Sequence, residues 1–186
     1  MQKEQEVLQA CWQHLSREAL QDAFVFTYDR MRRYEGAWHL ERQKMFPGYI
    51  FLESENLERL VQEMEGIPSM KKILAGSGNL TSLEEQEESF LQKLCGEDHH
   101  FGMSRGYIRD GCTFVTEGPL QGQEKLIRKI DRHKRIAKVQ IPEAEHGCKF
   151  AGDGATNGRD GGTGTNVHAS KGFRELQMGL EIVTKN

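Results

Sequence analysis

Val7, Leu8, Cys11, Trp12 and Leu15 recur at helical spacing, which predicts an amphipathic helix over residues 4–22. The apolar run AFVFTY (23–28) then reads as a strand. DRMRRYEGAWHLERQK reads as a β-hairpin turning at Glu35–Gly36, where glycine admits the positive φ of a tight turn. The returning strand runs on into KMFPGYIFLE (44–53), which places a proline and a glycine inside an apolar strand and surrounds them with Phe46, Tyr49 and Phe51. Strands are normally depleted in both residues. Pro47 lacks an N–H and Gly48 lacks a side chain, so a bend or bulge is expected there. ENLERLVQEMEG predicts a second helix with Asn56 as N-cap, a stripe of Leu57, Leu60, Val61 and Met64, and Gly66 at its end. SMKKILAG (69–76) reads as a short strand. TSLEEQEESFLQKLCG reads as a third helix, capped by Thr81 or Ser82, with acidic residues at its positive end. Helices alternating with strands in this order predict an α+β N-terminal domain, helices over an antiparallel sheet, spanning 1–98.

Residues 99–110 read as a linker. From Cys112 onward the pattern becomes that of short strands: CTFVTEG, EKLIRKID, RIAKVQI and FRELQMGLEIV. In the last, Leu176, Met178, Leu180 and Ile182 alternate with Gln177, Gly179 and Glu181, the two-residue period of a strand with one face in a core. Short strands joined by tight turns predict a small all-β barrel over 111–186. It is interrupted at 143–172 by a segment in which eight of 30 residues are glycine, too polar to bury much and expected to form a loop. GDGATNG has neither phosphate-loop spacing nor a following helix. Asp153, Asn157 and Asp160 miss the calcium-loop spacing.

Composition narrows the function. Apolar residues make up 37% and charged residues 28% of the 186, so the core is economical. No apolar run reaches the ~18 residues of a membrane span and no signal-peptide core is present, so a cytoplasmic location is expected. Four scattered cysteines without a CxxC pair read as reduced thiols. Cys95 with His99 and His100 fits a helix end better than a metal corner. Residues 1–106 carry 12 Lys and Arg against 18 Asp and Glu, a net of −6. Residues 107–186 carry 13 against 10, a net of +3, and the sum is the overall −3. Such a change of sign suits two modules with different partners. There is no GxSxG, no HExxH and no supported carboxylate pair, so nothing calls for an enzyme or a cofactor.

Two stretches resemble the NusG family of transcription elongation factors. MFPGYIFLES (45–54) is similar to the strand motif of its N-terminal (NGN) domain, and GCTFVTEGPLQGQEKLIRKIDRHKR (111–135) is similar to its KOW motif, a strand, a GPLxG turn and a strand. YDRMRRYEGAWH, DRHKRIAKVQI and MGLEIV look closest to the LoaP-type specialised paralogues. The resemblance covers most of the chain apart from the glycine-rich insertion. It implies an NGN domain followed by an SH3-like KOW barrel. Three departures stand out. The family's Trp-, Tyr- and Val-rich first strand does not precede the first helix, so exposed neighbouring edges are expected. Lys125 stands where the KOW turn usually has glycine, and the insertion is not usual for the family.

The resemblance also implies a function: elongation or antitermination by a monomer with no covalent chemistry. Phe46, Pro47, Gly48, Tyr49 and Phe51 would form the surface that takes the clamp helices of RNA polymerase, although read alone the three rings fit a core as well. Arg30, Arg32, Arg33, Arg42 and Lys44 flank the hairpin. They fit either a solvated charged face or contact with non-template DNA or nascent RNA, and Trp38 either a half-buried position or a base-stacking one. Lys125, Arg128, Lys129, Arg132, His133, Lys134 and Arg135 crowd one end of the expected barrel, where RNA would relieve their repulsion. A ribosomal protein or a termination factor is the alternative partner of that module. The rival reading is an RNA-binding KOW protein of ribosome assembly or translation.

Overall fold

The computed structural model describes residues 3–68, 70–71, 80–142 and 175–185. The glycine-rich segment 143–172 lies outside them. The fold is mixed α+β. In chain order it runs α1 (Lys3–His14), β1 (Asp22–Phe24), β2 (Thr27–Tyr34), β3 (Ala37–Lys44), β4 (Phe51–Glu53), α2 (Leu57–Glu65), α3 (Glu85–Cys95), β5 (His100–Phe101), β6 (Ser104–Arg109), β7 (Cys112–Glu117), β8 (Ile127–Asp131), β9 (Ile136–Gln140) and β10 (Glu175–Lys185).

α1 stops well short of the expected residue 22. The Ser16 N–H, which would continue the helical ladder, instead donates to Glu63 Oε2 (2.7 Å), while Ser16 Oγ donates to Glu63 Oε1 (2.6 Å). Arg59 Nε closes on the same carboxylate from one turn earlier in α2. One side chain of α2 thus ends α1 and fixes the angle between the two helices. The Ser16 hydroxyl and amide, and then Arg59, hold the Glu63 carboxyl below its ordinary value. Beneath them Cys11, Leu20, Ala23, Leu60, Met64 and Met70 form a small core. Asn56 caps α2, its side chain accepting from Arg59 N–H (3.0 Å), and Leu60 and Met64 face inward, whereas Leu57 is exposed. Of the strand expected at 69–76, residues 70 and 71 form a helical turn instead, Lys71 N–H reaching Ile67 C=O (2.8 Å); 69 and 72–76 lie outside the described residues. α3 begins at Glu85 with Glu84 as N-cap, three residues or fewer past the expected Thr81 or Ser82, and the Glu87 carboxylate accepts the Glu84 N–H (3.2 Å).

The run 23–28 is split between two sheets. β1 pairs with β4, and β2 pairs with β3 and, in parallel, with β5. At the crossing, Phe26 C=O accepts Met45 N–H (2.8 Å) and Thr27 N–H donates to His99 C=O (3.1 Å). The hairpin turns where expected. Glu35 and Gly36 both have positive φ (51° and 78°), as a two-residue turn of the type I′ class requires.

Residues 99–110 contain two strands rather than a linker. His100 ties β5 to β2, its Nδ1 2.9 Å from Thr27 Oγ1 and its Nε2 3.1 Å from Asp29 Oδ1. β6 belongs to a five-stranded sheet, ordered β7-β6-β10-β9-β8, that curls into a half-barrel. Its inward positions are Ser104 and Gly106, which give no apolar period to read. They are small because a Cβ at Gly106 would stand 2.2 Å from Phe114 O, and because Ser104 Oγ accepts the Leu120 N–H inside the core (3.2 Å). The segment read as the strand EKLIRKID begins as a 3₁₀ turn, Glu124–Leu126, before β8.

β10 joins the two halves. It pairs antiparallel with β9 over Glu175–Gly179 and parallel with β6 from Leu180. Leu176, Met178 and Leu180 lie in one core with Val115, Leu120 and Val139 of the half-barrel and with Phe26, Tyr28, Phe90, Leu91 and Phe101 of the first half. Gly179 lies against β2. A Cβ there would stand 2.4 Å from Asp29 O and 2.4 Å from Met103 Sδ. Gly179→Ala is therefore expected to destabilise the protein by about 1–3 kcal/mol, measured as a lowered denaturant midpoint, whereas tolerance of the methyl group would show that β2 and β10 are not in contact.

Candidate polymerase and nucleic-acid surfaces

The proline–glycine pair is a turn between strands. Tyr49 N–H donates to Phe46 C=O (3.2 Å) and Gly48 takes φ 86°, the pattern of a type II turn with proline second and glycine third. A Cβ at Gly48 would meet nothing within 4 Å, so it is the backbone angle and not space that calls for glycine. α1 holds the turn from outside. Glu4 Oε1 accepts the Gly48 N–H (3.0 Å) and Glu4 Oε2 pairs with Lys44 Nζ (3.1 Å). Bonds from backbone amides, first its own and then that of Gly48, together with the Lys44 ammonium, lower the Glu4 carboxyl to about 2. This anchor spans 44 positions, and no local pattern marks Glu4 among the other acids of α1.

The three aromatic residues around the turn separate. Phe46 is buried, edge-on to Phe26, and Phe51 is half-buried between Phe24 and Phe26, so both belong to the aromatic wall of the core. Tyr49 is 57% exposed beside Pro47 and Gly48, which are also exposed. Of the five residues expected to face the clamp, Pro47, Gly48 and Tyr49 are exposed, whereas Phe46 is buried and Phe51 half-buried.

The basic residues of the hairpin separate too. Lys44 is half-buried on Glu4. Arg30 is turned inward, Nη1 donating to Gln43 Oε1 (3.3 Å), with its Nε buried and lacking an acceptor among the described residues. Arg32 faces Glu41 at 3.8 Å, on the side of the hairpin where Tyr34 stacks on His39. Arg33 and Arg42 are exposed on the opposite side, with Trp38. In the half-barrel, Lys125 is exposed on the 3₁₀ turn and Arg128 bonds Gln140 across β8–β9. The turn after β8 forms as expected, with Lys134 N–H on Asp131 Oδ1 (2.9 Å), and leaves Arg132, His133 and Lys134 exposed. Arg135 alone is withdrawn from that cluster. It packs over Trp38 and pairs with Glu181 (2.5 Å).

Cys95, His99 and His100 do not converge: Cys95 Sγ donates to Gly96 C=O (3.3 Å), His99 stacks on Phe24, and His100 holds Thr27 and Asp29. Among the described residues no group of three or more His, Cys, Asp or Glu could hold a metal ion, and no helix is long and apolar enough to cross a membrane. No protein-family model matches the chain, and no curated protein matches it.

A carboxyl depressed in the folded state stabilises above its unfolded value, near 4.5, and loses that contribution as pH falls toward the folded one. The Gly48 amide resonance should therefore titrate with a midpoint near 2 and stay unmoved by acid in Glu4→Gln; a midpoint at the ordinary carboxylate value would remove Glu4 from the turn.

Proposed function

We propose that the chain is a NusG-type transcription elongation or antitermination factor, with an NGN-like first half that binds RNA polymerase and a KOW-like second half that binds RNA or a protein partner. The observation that carries this reading is the type II turn at MFPGYIFLES, which exposes Tyr49 between Phe46 and Phe51, two members of the aromatic wall of the core. A ring with one apolar body and one hydroxyl, exposed on a rigid turn, suits the rim of a protein interface. Its occupant in this proposal is the helical tip of the polymerase clamp. The GPLQG turn supports the second half. Gly118 has φ 91° and no room for a Cβ, which would stand 2.6 Å from Met103 O, while Leu120 is wholly buried. The turn thus locks β7 to the start of β6 and leaves the polar Gln121 and the 3₁₀ turn outside. Binding the closed, elongating polymerase more tightly than the paused one shifts the population away from pausing with no covalent step.

Tyr49→Ala removes an exposed ring and should leave the fold intact. Its affinity for purified core polymerase should fall at least tenfold, the scale of an interface hot spot of about 2 kcal/mol. Unchanged affinity in the folded variant refutes the clamp assignment. RNA binding without any polymerase binding would instead favour the ribosome-assembly reading.

A further inference from the structure

Two basic clusters that are far apart in sequence meet at one junction. Arg33 stands directly across the hairpin from Trp38, and the Arg135 guanidinium lies 4.0 Å from the centroid of the Trp38 ring. Arg135 is held there from three sides: its φ is 52°, its Nη1 meets Glu181, and its C=O accepts the Leu180 N–H (3.0 Å). Its charge is compensated, so it acts as a rivet, and the cations around it form the surface. On the hairpin side these are Arg33 and Arg42, exposed on the face that carries Trp38. On the half-barrel side they are Arg132 and a depression of about 200 Å³ lined by Lys129, Lys134 and Lys138 with Asp131, Ile136 and Gln177.

Lys129 and Lys138 are directly opposite across β8–β9; Glu175 relieves the like-charge repulsion at Lys138, and no acid pairs with Lys129 among the described residues. Two lysines of the depression, Lys134 and Lys138, carry carboxylate partners of their own, in exposed pairs of the weak kind that a phosphate can replace. Asp29 is on His100, Asp131 on Lys134 (3.9 Å), Glu175 on Lys138 (2.6 Å) and Glu181 on Arg135. The other aromatic face of the half-barrel, where Tyr107 stacks on Phe114, is less suited to an anion. Its Arg105 faces Glu117 and Glu181, and its Arg109 faces Asp110.

We propose that hairpin and half-barrel form one continuous cationic track, riveted by Trp38 and Arg135, that takes a single strand of nucleic acid, with a phosphate in the lysine depression and the chain leading across to Arg33 and Arg42. A single strand bends across a junction of two sheets, which a duplex with a persistence length of ~150 bp resists. This rests on the nucleic-acid part of the proposed function.

The test measures anisotropy of fluorescein-labelled oligouridine of about 5 and about 15 nucleotides, spanning common single-strand site sizes, against the full chain. Lys129→Gln/Lys134→Gln should weaken both lengths. Arg33→Gln/Arg42→Gln should weaken the longer one severalfold, spare the shorter one, and reduce its salt slope by about 0.7 per lost phosphate contact. Circular dichroism confirms that each variant is folded, and Arg33→Lys/Arg42→Lys, which keeps both charges, should restore most of the affinity. Oligothymidine in parallel separates the sources: tighter binding of one polymer names RNA or DNA as the strand. If the hairpin variant binds the longer oligomer as the unaltered chain does, the track is refuted while binding at the half-barrel stands. If the unaltered chain binds neither length, the nucleic-acid reading falls with it.

Discussion

The burial of one face of β10 holds this fold together. Leu176, Met178 and Leu180 are almost wholly removed from solvent, each a contribution of about 1.5–3 kcal/mol. Their neighbours come from both halves of the chain. The strand is also the hydrogen-bonding seam of the half-barrel, joining β9 on one side to β6 on the other. At Gly179 its backbone comes so close to β2 that no side chain fits. Remove this strand and the half-barrel loses its middle, while Phe26 and Phe101 lose part of their cover. The hairpin and the β8–β9 turn are held together through the same strand, because Arg135 is fixed by Leu180 and Glu181 before it reaches Trp38.

Regular, local signals were legible in the sequence. The hairpin tip at Glu35–Gly36, the Asn56 cap and the apolar face of β10 each depend on residues close in sequence, and each is found, although Gly179, on the face read as solvated, is buried against β2. What was not legible depends on contacts between distant residues. α1 ends early because Glu63 takes the Ser16 amide, 47 positions away. β6 could not be recognised because its inward positions are a serine and a glycine, chosen by the closeness of Phe114 and Leu120 and not by hydrophobicity. The apolar run at 23–28 gives no hint that the chain changes sheets in its middle.

The candidate surfaces show the same division. The sequence marks the proline–glycine turn and the excess of cations, but it does not separate Tyr49, which faces solvent, from Phe46, which does not. Nor does it distinguish Arg33, on the surface, from Arg30, turned onto Gln43, or from Arg135, committed to Trp38 and Glu181. The resemblance to a two-module factor leaves open whether the halves lie apart or pack together. The continuous core joins the halves, and the Arg135–Trp38 contact sets the basic turn beside the hairpin.

Cooperative unfolding tests this shared core most directly. Trp38 reports on the hairpin in a Trp12→Phe background, since the chain has two tryptophans. A fluorophore on Cys112, exposed at the start of β7, reports on the half-barrel. A shared core gives coincident denaturant transitions with one midpoint from both probes. Two separated transitions, with the half-barrel still folded after the hairpin has melted or the reverse, would contradict it.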